Sequence, residues 1–207
     1  KRGNIDRVLE LFCHFGAQDE IRYDAHPHIG TNKLPQIIEA MREMILSCGG
    51  EIHFNSKLTD LELSFGVVRS IQINTTQQVP VQHLVLATGH SARDIYELLY
   101  RKQVFIEAKP FALGVRIEHP QHIIDSLQYH CAVREEHLPP ASYSLVEQVE
   151  GRGVFSFCMC PGGIIAPAST QVNTLVVNGW SPSKRKNPFA NSGMVVAVDE
   201  SDYPDKT

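Results

Sequence analysis

Glycine, histidine and cysteine stand at a few positions in this sequence where they could do chemistry. Ala87-Thr88-Gly89-His90-Ser91 closes the apolar run Leu84–Ala87 with small and polar residues that break a strand and expose backbone N–H groups. Such a turn between a strand and a helix holds anionic or nucleotide ligands, and it also occurs as a plain turn. Cys160-Pro161-Gly162-Gly163 carries glycines that allow close backbone approach to a ligand, or a tight turn. His28 and His90 are the candidate proton donors, because imidazole titrates near neutrality. Cys158 and Cys160 form C-x-C, and an alternating strand would turn both to one side with no second ligand pair nearby in sequence, so zinc is not expected. They read as inert strand thiols, and His26 and His28 read as loop residues rather than metal ligands. No metal site is expected. With no Cys-x-x-Cys pair, a disulfide reductase of that kind is not expected either.

The elements that must position these residues follow from periodicity. Leu84–Ala87 reads as a short buried strand, the end of a return strand Val79–Ala87, and Ala92–Tyr100 places Ile95, Leu98 and Leu99 on one helical face. Upstream, Asn4–Gly16 reads as a helix capped by Asn4, and Ile21–Ala25 as an extended piece. Leu34–Cys48 reads as a second helix, capped by Thr31 or Asn32, with Pro35 in its first turn and Gly49-Gly50 at its end. Glu51–Asn55 then reads as a strand, and Lys57–Leu63 with Val67–Asn74 as a pair turning near Ser64–Gly66. Beyond Tyr100 the texture becomes β-rich. Phe111–Glu118, Tyr143–Glu150, Gly153–Met159, Thr174–Val177 and Met194–Val198 read as strands, Pro120–Tyr129 as a short helix, and Asn178–Gly193 as a loop.

The bulk numbers narrow the class. The 207 residues are 43% hydrophobic and 20% charged, which describes an ordinary globular chain of one generous domain or two small ones. The net charge of −4 and the lack of a basic stripe argue against general nucleic-acid binding. Lys184-Arg185-Lys186, flanked by prolines, reads as a solvated loop. No apolar run approaches the roughly 18 residues of a membrane span, and no signal peptide is visible. Five cysteines in no framework spacing fit reduced thiols in a cytoplasm. The chain begins at Lys1 without methionine and ends in an acidic stretch, so a piece of a longer polypeptide is expected.

Several runs together resemble one family. AHPHIGTNKLPQIIEAMREMILSCGGEIHFNSKLTDL, LVLATGHSARDIYELL and KPFALGVRIEHPQ, followed by FSFCMCPGG, VVNGWS and NSGMVVAV, are similar to the uncharacterised bacterial "NAD(FAD)-utilizing" FAD-dependent dehydrogenases. The resemblance runs from about Lys1 to Val198 and extends to the wider flavoproteins with two dinucleotide-binding domains. The element order reads as α/β with an antiparallel excursion, and the resemblance implies an α/β (mixed α+β) chain: residues 1–103 as part of a FAD-binding doubly wound sheet with a small antiparallel meander, and residues 104–207 as a mostly β substrate-side domain. Family members carry G-x-G-x-x-G near the N-terminus and a second glycine-rich motif near the C-terminus, and neither is present in this sequence.

The implied roles fall into three groups. Ser56-Lys57-Leu58 would place backbone against adenine, with Leu58 as the cofactor-binding residue. Ala87, Thr88, Gly89, His90 and Ser91 would lie near the adenosine and pyrophosphate. His28, Gly30 and Thr31, with Met159–Gly163 (Gly162 and Gly163 among them) and Asn178–Ser181, would line the flavin or substrate side. The expectation is a fragment of a FAD-dependent oxidoreductase, inactive alone and binding FAD weakly or not at all, with NAD(P)H as candidate electron donor. Its partners would be an unknown small-molecule substrate and the flanking regions of the same polypeptide. The alternatives are a non-catalytic binding domain and a flavoprotein acting on RNA.

Overall fold

The Asn4 side chain accepts the Arg7 N–H at 3.1 Å and opens the first helix, as its residue type favours. In this computed structural model, which describes residues 3–203, the elements in chain order are α1 (Ile5–His14), α2 (Leu34–Ser47), β1 (Leu58–Ser64), β2 (Val67–Ile73), β3 (Gln77–Pro80), α3 (Arg93–Arg101), β4 (Phe111–Pro120), α4 (Gln121–Tyr129), β5 (Val146–Val149), β6 (Arg152–Cys160), β7 (Ile164–Pro167), β8 (Val177–Trp180) and β9 (Phe189–Val198). The class is mixed α+β, and every described strand pairing is antiparallel. The chain divides into two compact units, one running up to Gly50 and resuming at Pro110, the other Glu51–Lys109.

In the first unit a four-stranded sheet has the order β4-β9-β6-β5. β4 and β9 pair over their full length, from Phe111 opposite Val198 to Pro120 opposite Phe189. Lying between β4 and β6, β9 buries Ala190, Asn191 and Ser192 completely. β7 and β8 form a separate pair. The chain passes straight from β4 into α4, where the Gln121 N–H donates to Pro188 O at 2.8 Å.

The first unit departs from the expected elements in several places. Ile21–Ala25 is not extended: Asp19–Arg22 winds into a 3-10 turn, which buries Ile21. The strand expected at Thr174–Val177 begins only at Val177, and the expected loop Asn178–Gly193 contains most of β8 and the first half of β9. Pairing with β7 and with β4 and β6 overrides the turn-forming composition there. Cys158 and Cys160 do not alternate regularly either. Cys158 has φ +47° and the β6–β9 register shifts between Phe157 and Cys160, so the strand bulges at that point.

The second unit is a meander in the order β1-β2-β3, with α3 against β1. Phe65 (φ +50°) and Gly66 (φ +76°) make the two-residue turn between Ser64 and Val67, its twist matched to the strands on either side. Leu61, Ile95 and Leu98 are its buried apolar residues. Lys102 pairs with Asp60 and Lys57 with Asp94, each at 2.8 Å. Two expected strands are missing from this unit. Glu51–Asn55 is irregular and ends in a turn, with Asn55 at φ +55° and its carbonyl taken by Asn74 Nδ2. Leu84–Ala87 joins no ladder, and Val85 is 87% exposed. β3 stops at Pro80, which has no N–H to continue the pairing, and after Val81 bonds to Arg69 O the chain leaves the sheet.

Candidate functional site

In the unit Glu51–Lys109, the turn Ala87–Ser91 is exposed throughout. Gly89 has φ +80° and a side facing open space, so a ligand could approach its backbone. The turn leads into α3, whose N-cap is Ala92, a residue without a side-chain acceptor. The helix start leaves the positive end of its dipole at the turn, although its N–H groups are mostly used, Arg93 N donating to Ser91 O at 2.9 Å and Ile95 N to Ala92 O at 3.1 Å. Asp94 offsets this in part: it accepts the Ile95 N–H at 3.1 Å and is ion-paired to Lys57, which holds its carboxyl below the usual range. His90 Nε2 and Ser91 Oγ lie 3.3 Å apart. Leu58 begins β1 in the same unit. What this turn offers a ligand is the exposed backbone around Gly89 and the His90–Ser91 pair.

In the other unit, three segments distant in sequence meet. The His28–Asn32 loop is sewn to the loop after β8. His28 Nε2 lies 3.2 Å from Pro182 O, and since a carbonyl only accepts, Nε2 carries the proton and the neutral ring keeps its lone pair on Nδ1. Burial lowers the pKa of His28; the Pro182 bond opposes this, and the charge of Arg185 adds to it. Thr31 N and Oγ1 both donate to Ser181 O, at 3.1 and 3.3 Å. Asn32 Oδ1 accepts Ser183 N at 2.9 Å. Thr31 and Asn32 thus do not cap α2, whose N-cap is Lys33 without a side-chain bond. Loop docking outweighs capping here because it satisfies several backbone groups at once.

The C-P-G-G turn is the third segment. Ser181 Oγ donates to Pro161 O at 2.8 Å, and the Gly162 N–H donates to Gln121 Oε1 at 2.8 Å. A Cβ on Gly162 would collide with the Arg185 carbonyl, and one on Gly163 with that of Trp180. The close approach these glycines permit is made by the chain's own 180–187 segment. Gly30 is packed in the same way, against Ser183.

Arg185 differs from its exposed neighbours Lys184 and Lys186. It is half-buried, its pKa is lowered by burial, and its Nε is buried. Across the sheet, Arg116 Nη1 donates to Asn191 Oδ1 at 2.6 Å and to Cys158 O at 3.1 Å, and lies 3.9 Å from Cys160 Sγ. Burial raises the Cys160 thiol, so it stays protonated at neutral pH. Sequence reasoning passed over Arg116 and Asn191. The signal for Arg116 was one cation inside the apolar strand FALGVRIE, and for Asn191 one amide opening the run NSGMVVAV. Among the described residues no group of three or more His, Cys, Asp or Glu is arranged to hold a metal ion. No described helix is long and apolar enough to cross a membrane.

Comparison with known proteins bears first on the unit that holds Arg116 and Asn191. Residues 110–207, which contain both the C-P-G-G turn and Arg116, match the family model "FAD-dependent protein, C-terminal domain-like". This segment is similar to a domain of FAD-dependent proteins. An uncharacterised protein from Clostridium beijerinckii is 44% identical over 198 residues, covering 95% of this chain and 37% of that protein. The chain thus spans little more than a third of the length of the curated relative it matches.

Proposed function

We propose that this chain is part of a FAD-dependent oxidoreductase and supplies two walls of its flavin cleft. The observation that carries this reading is the match of residues 110–207 to a domain of FAD-dependent proteins. The open turn before α3 adds to it. Ala87–Ser91, with Leu58, would hold the adenosine and pyrophosphate side; His28 would face the flavin or its substrate, and Gly162 and Gly163, buried against the 180–187 segment, would support that wall from behind. FAD, where bound, supplies the hydride or electron chemistry, with NAD(P)H as the proposed donor. The chain's own residues orient and exclude water. His28 is held neutral with Nε2 tied to Pro182, so its Nδ1 is the nitrogen that accepts a proton. His90 is the second proton-transfer candidate.

With no G-x-G-x-x-G in these 207 residues, the chain alone is expected to bind FAD weakly or not at all, since that motif cradles the pyrophosphate. The reading is tested on the full-length Clostridium beijerinckii relative. Purified and heat-denatured, it should release a fluorescent flavin; a preparation that neither carries nor takes up flavin sinks the proposal. Substituting the residues aligned with His28 and His90 should slow its turnover, and unchanged kinetics for both would remove them from the mechanism.

A further inference from the structure

Phe111, Leu113, Val115 and Ile117 alternate along β4 and so share one face of the sheet, where they are 48, 58, 67 and 42% exposed. The apolar face continues inward. Leu113 stands opposite Val196, which stands opposite Val154, and Val115 stands opposite Met194. None of these three inner side chains is fully buried. β4 is also an edge: its ten residues pair with β9 and with no other described strand, so about half of its peptide groups point outward. The usual protections of an edge strand are absent. β4 is long, carries no lysine, pairs without a bulge and has its one proline only at the end.

The surface left open is larger than an independently folded protein keeps. The chain exposes 15994 Å², whereas a folded monomer of 23.2 kDa exposes about 9,700 Å² and two separate domains sharing that mass about 11,700 Å². The excess, about 4,000 Å² or more, has the scale of an obligate interface. A second copy paired along β4 would leave another apolar stripe open, Leu34, Ile38 and Ile45 on α2, which are 42, 55 and 48% exposed. Nearly two-thirds of the Clostridium beijerinckii relative lies outside its match to this chain, enough polypeptide to cover both. We infer that β4 is a docking edge for an apolar β-strand from the part of the full-length protein outside these 207 residues. That strand adds to the sheet through backbone hydrogen bonds and lays its own apolar side chains beside the Phe111–Ile117 face. The inference holds with or without bound flavin, because only exposed surface and chain length carry it.

The test uses the full-length relative, with the photo-activatable residue benzoylphenylalanine at the position aligned with Val115. After irradiation, mass spectrometry identifies the peptide joined to β4. The link should run within one molecule, to a segment outside the 198 aligned residues. A link to a second copy, seen as a species of doubled mass, overturns the inference. So does a link to a peptide inside the aligned region, or no link at all. If the relative does not fold with this residue in place, hydrogen exchange of the unmodified proteins decides. The outward amides of β4 should be protected about tenfold or more in the relative compared with the 207-residue chain, at every protein concentration. Equal protection in the two, or protection that fades on dilution, overturns the inference.

Discussion

Gln121 Oε1 accepts the Gly162 N–H at 2.8 Å, tying the first turn of α4 to the C-P-G-G turn forty-one residues away. The same side chain donates through Nε2 to Asp125 Oδ1 at 2.8 Å and to Ala141 O at 2.9 Å. Asp125 Oδ1 also accepts the Ala141 N–H at 2.8 Å, and Oδ2 binds Arg134 at 2.9 Å. One buried carboxamide therefore holds the turn that the sequence marked as a possible ligand contact.

Gln121→Leu should destabilise the chain by about 2 kcal/mol or more, because it strands a buried N–H and a buried carbonyl at once. Urea unfolding monitored by Trp180 fluorescence measures it. A loss below about 0.5 kcal/mol would mean that water replaces the carboxamide and that the turn is held elsewhere.

Gly162 and Gly151 separate backbone strain from crowding. Both have positive φ, +53° and +80°, but a Cβ at Gly151 meets nothing within 4 Å whereas one at Gly162 meets the Arg185 carbonyl. Gly151→Ala should cost about 1 kcal/mol, from the left-handed conformation alone. Gly162→Ala should cost clearly more, since the 182–187 loop must move as well. Equal losses would show that the loop yields freely.

Burial lowers the pKa of both His28 and His119. An imidazole with a depressed folded pKa binds fewer protons folded than unfolded, so stability rises with pH between the two values. Stability from these residues is complete above about 6.5, the ordinary histidine value, and declines as pH falls below it. The urea midpoint should therefore drop between about pH 7.5 and pH 5.5, and His28→Gln should flatten the drop. A midpoint that rises on acidification over this range contradicts the assignment.

Leu98 is 2% exposed and lies on the face of α3 that also buries Ile95. Leu98→Ala should cost about 2–5 kcal/mol, the usual range for such a core truncation. Hydrogen exchange should show the loss in α3 and β1. Unchanged protection there would mean that the helix draws its stability from elsewhere.

What the sequence determined by itself is what local physics decides. The helices α1 to α4, the β1–β2 hairpin, β4, and the β5 and β6 pair follow from periodicity, caps and turn residues that act within a few positions of one another. Pairing and burial were decided only by the tertiary structure. LVLA reads as a buried strand, yet it lies outside any ladder, because a strand needs hydrogen-bonding neighbours that its own residues cannot supply. Phe111–Glu118 reads as an apolar strand, yet Phe111, Leu113, Val115 and Ile117 stand exposed along it. Conversely, Asn178–Gly193 reads as a loop and holds strand residues, because β7, β4 and β6 pair with it from elsewhere in the chain. The site divides in the same way. Its glycine turns and His28 were visible as residue types. Arg116 and Asn191 became a pair only when β4 and β9 came together, since the hydrogen bond between them needs two strands that are distant in sequence.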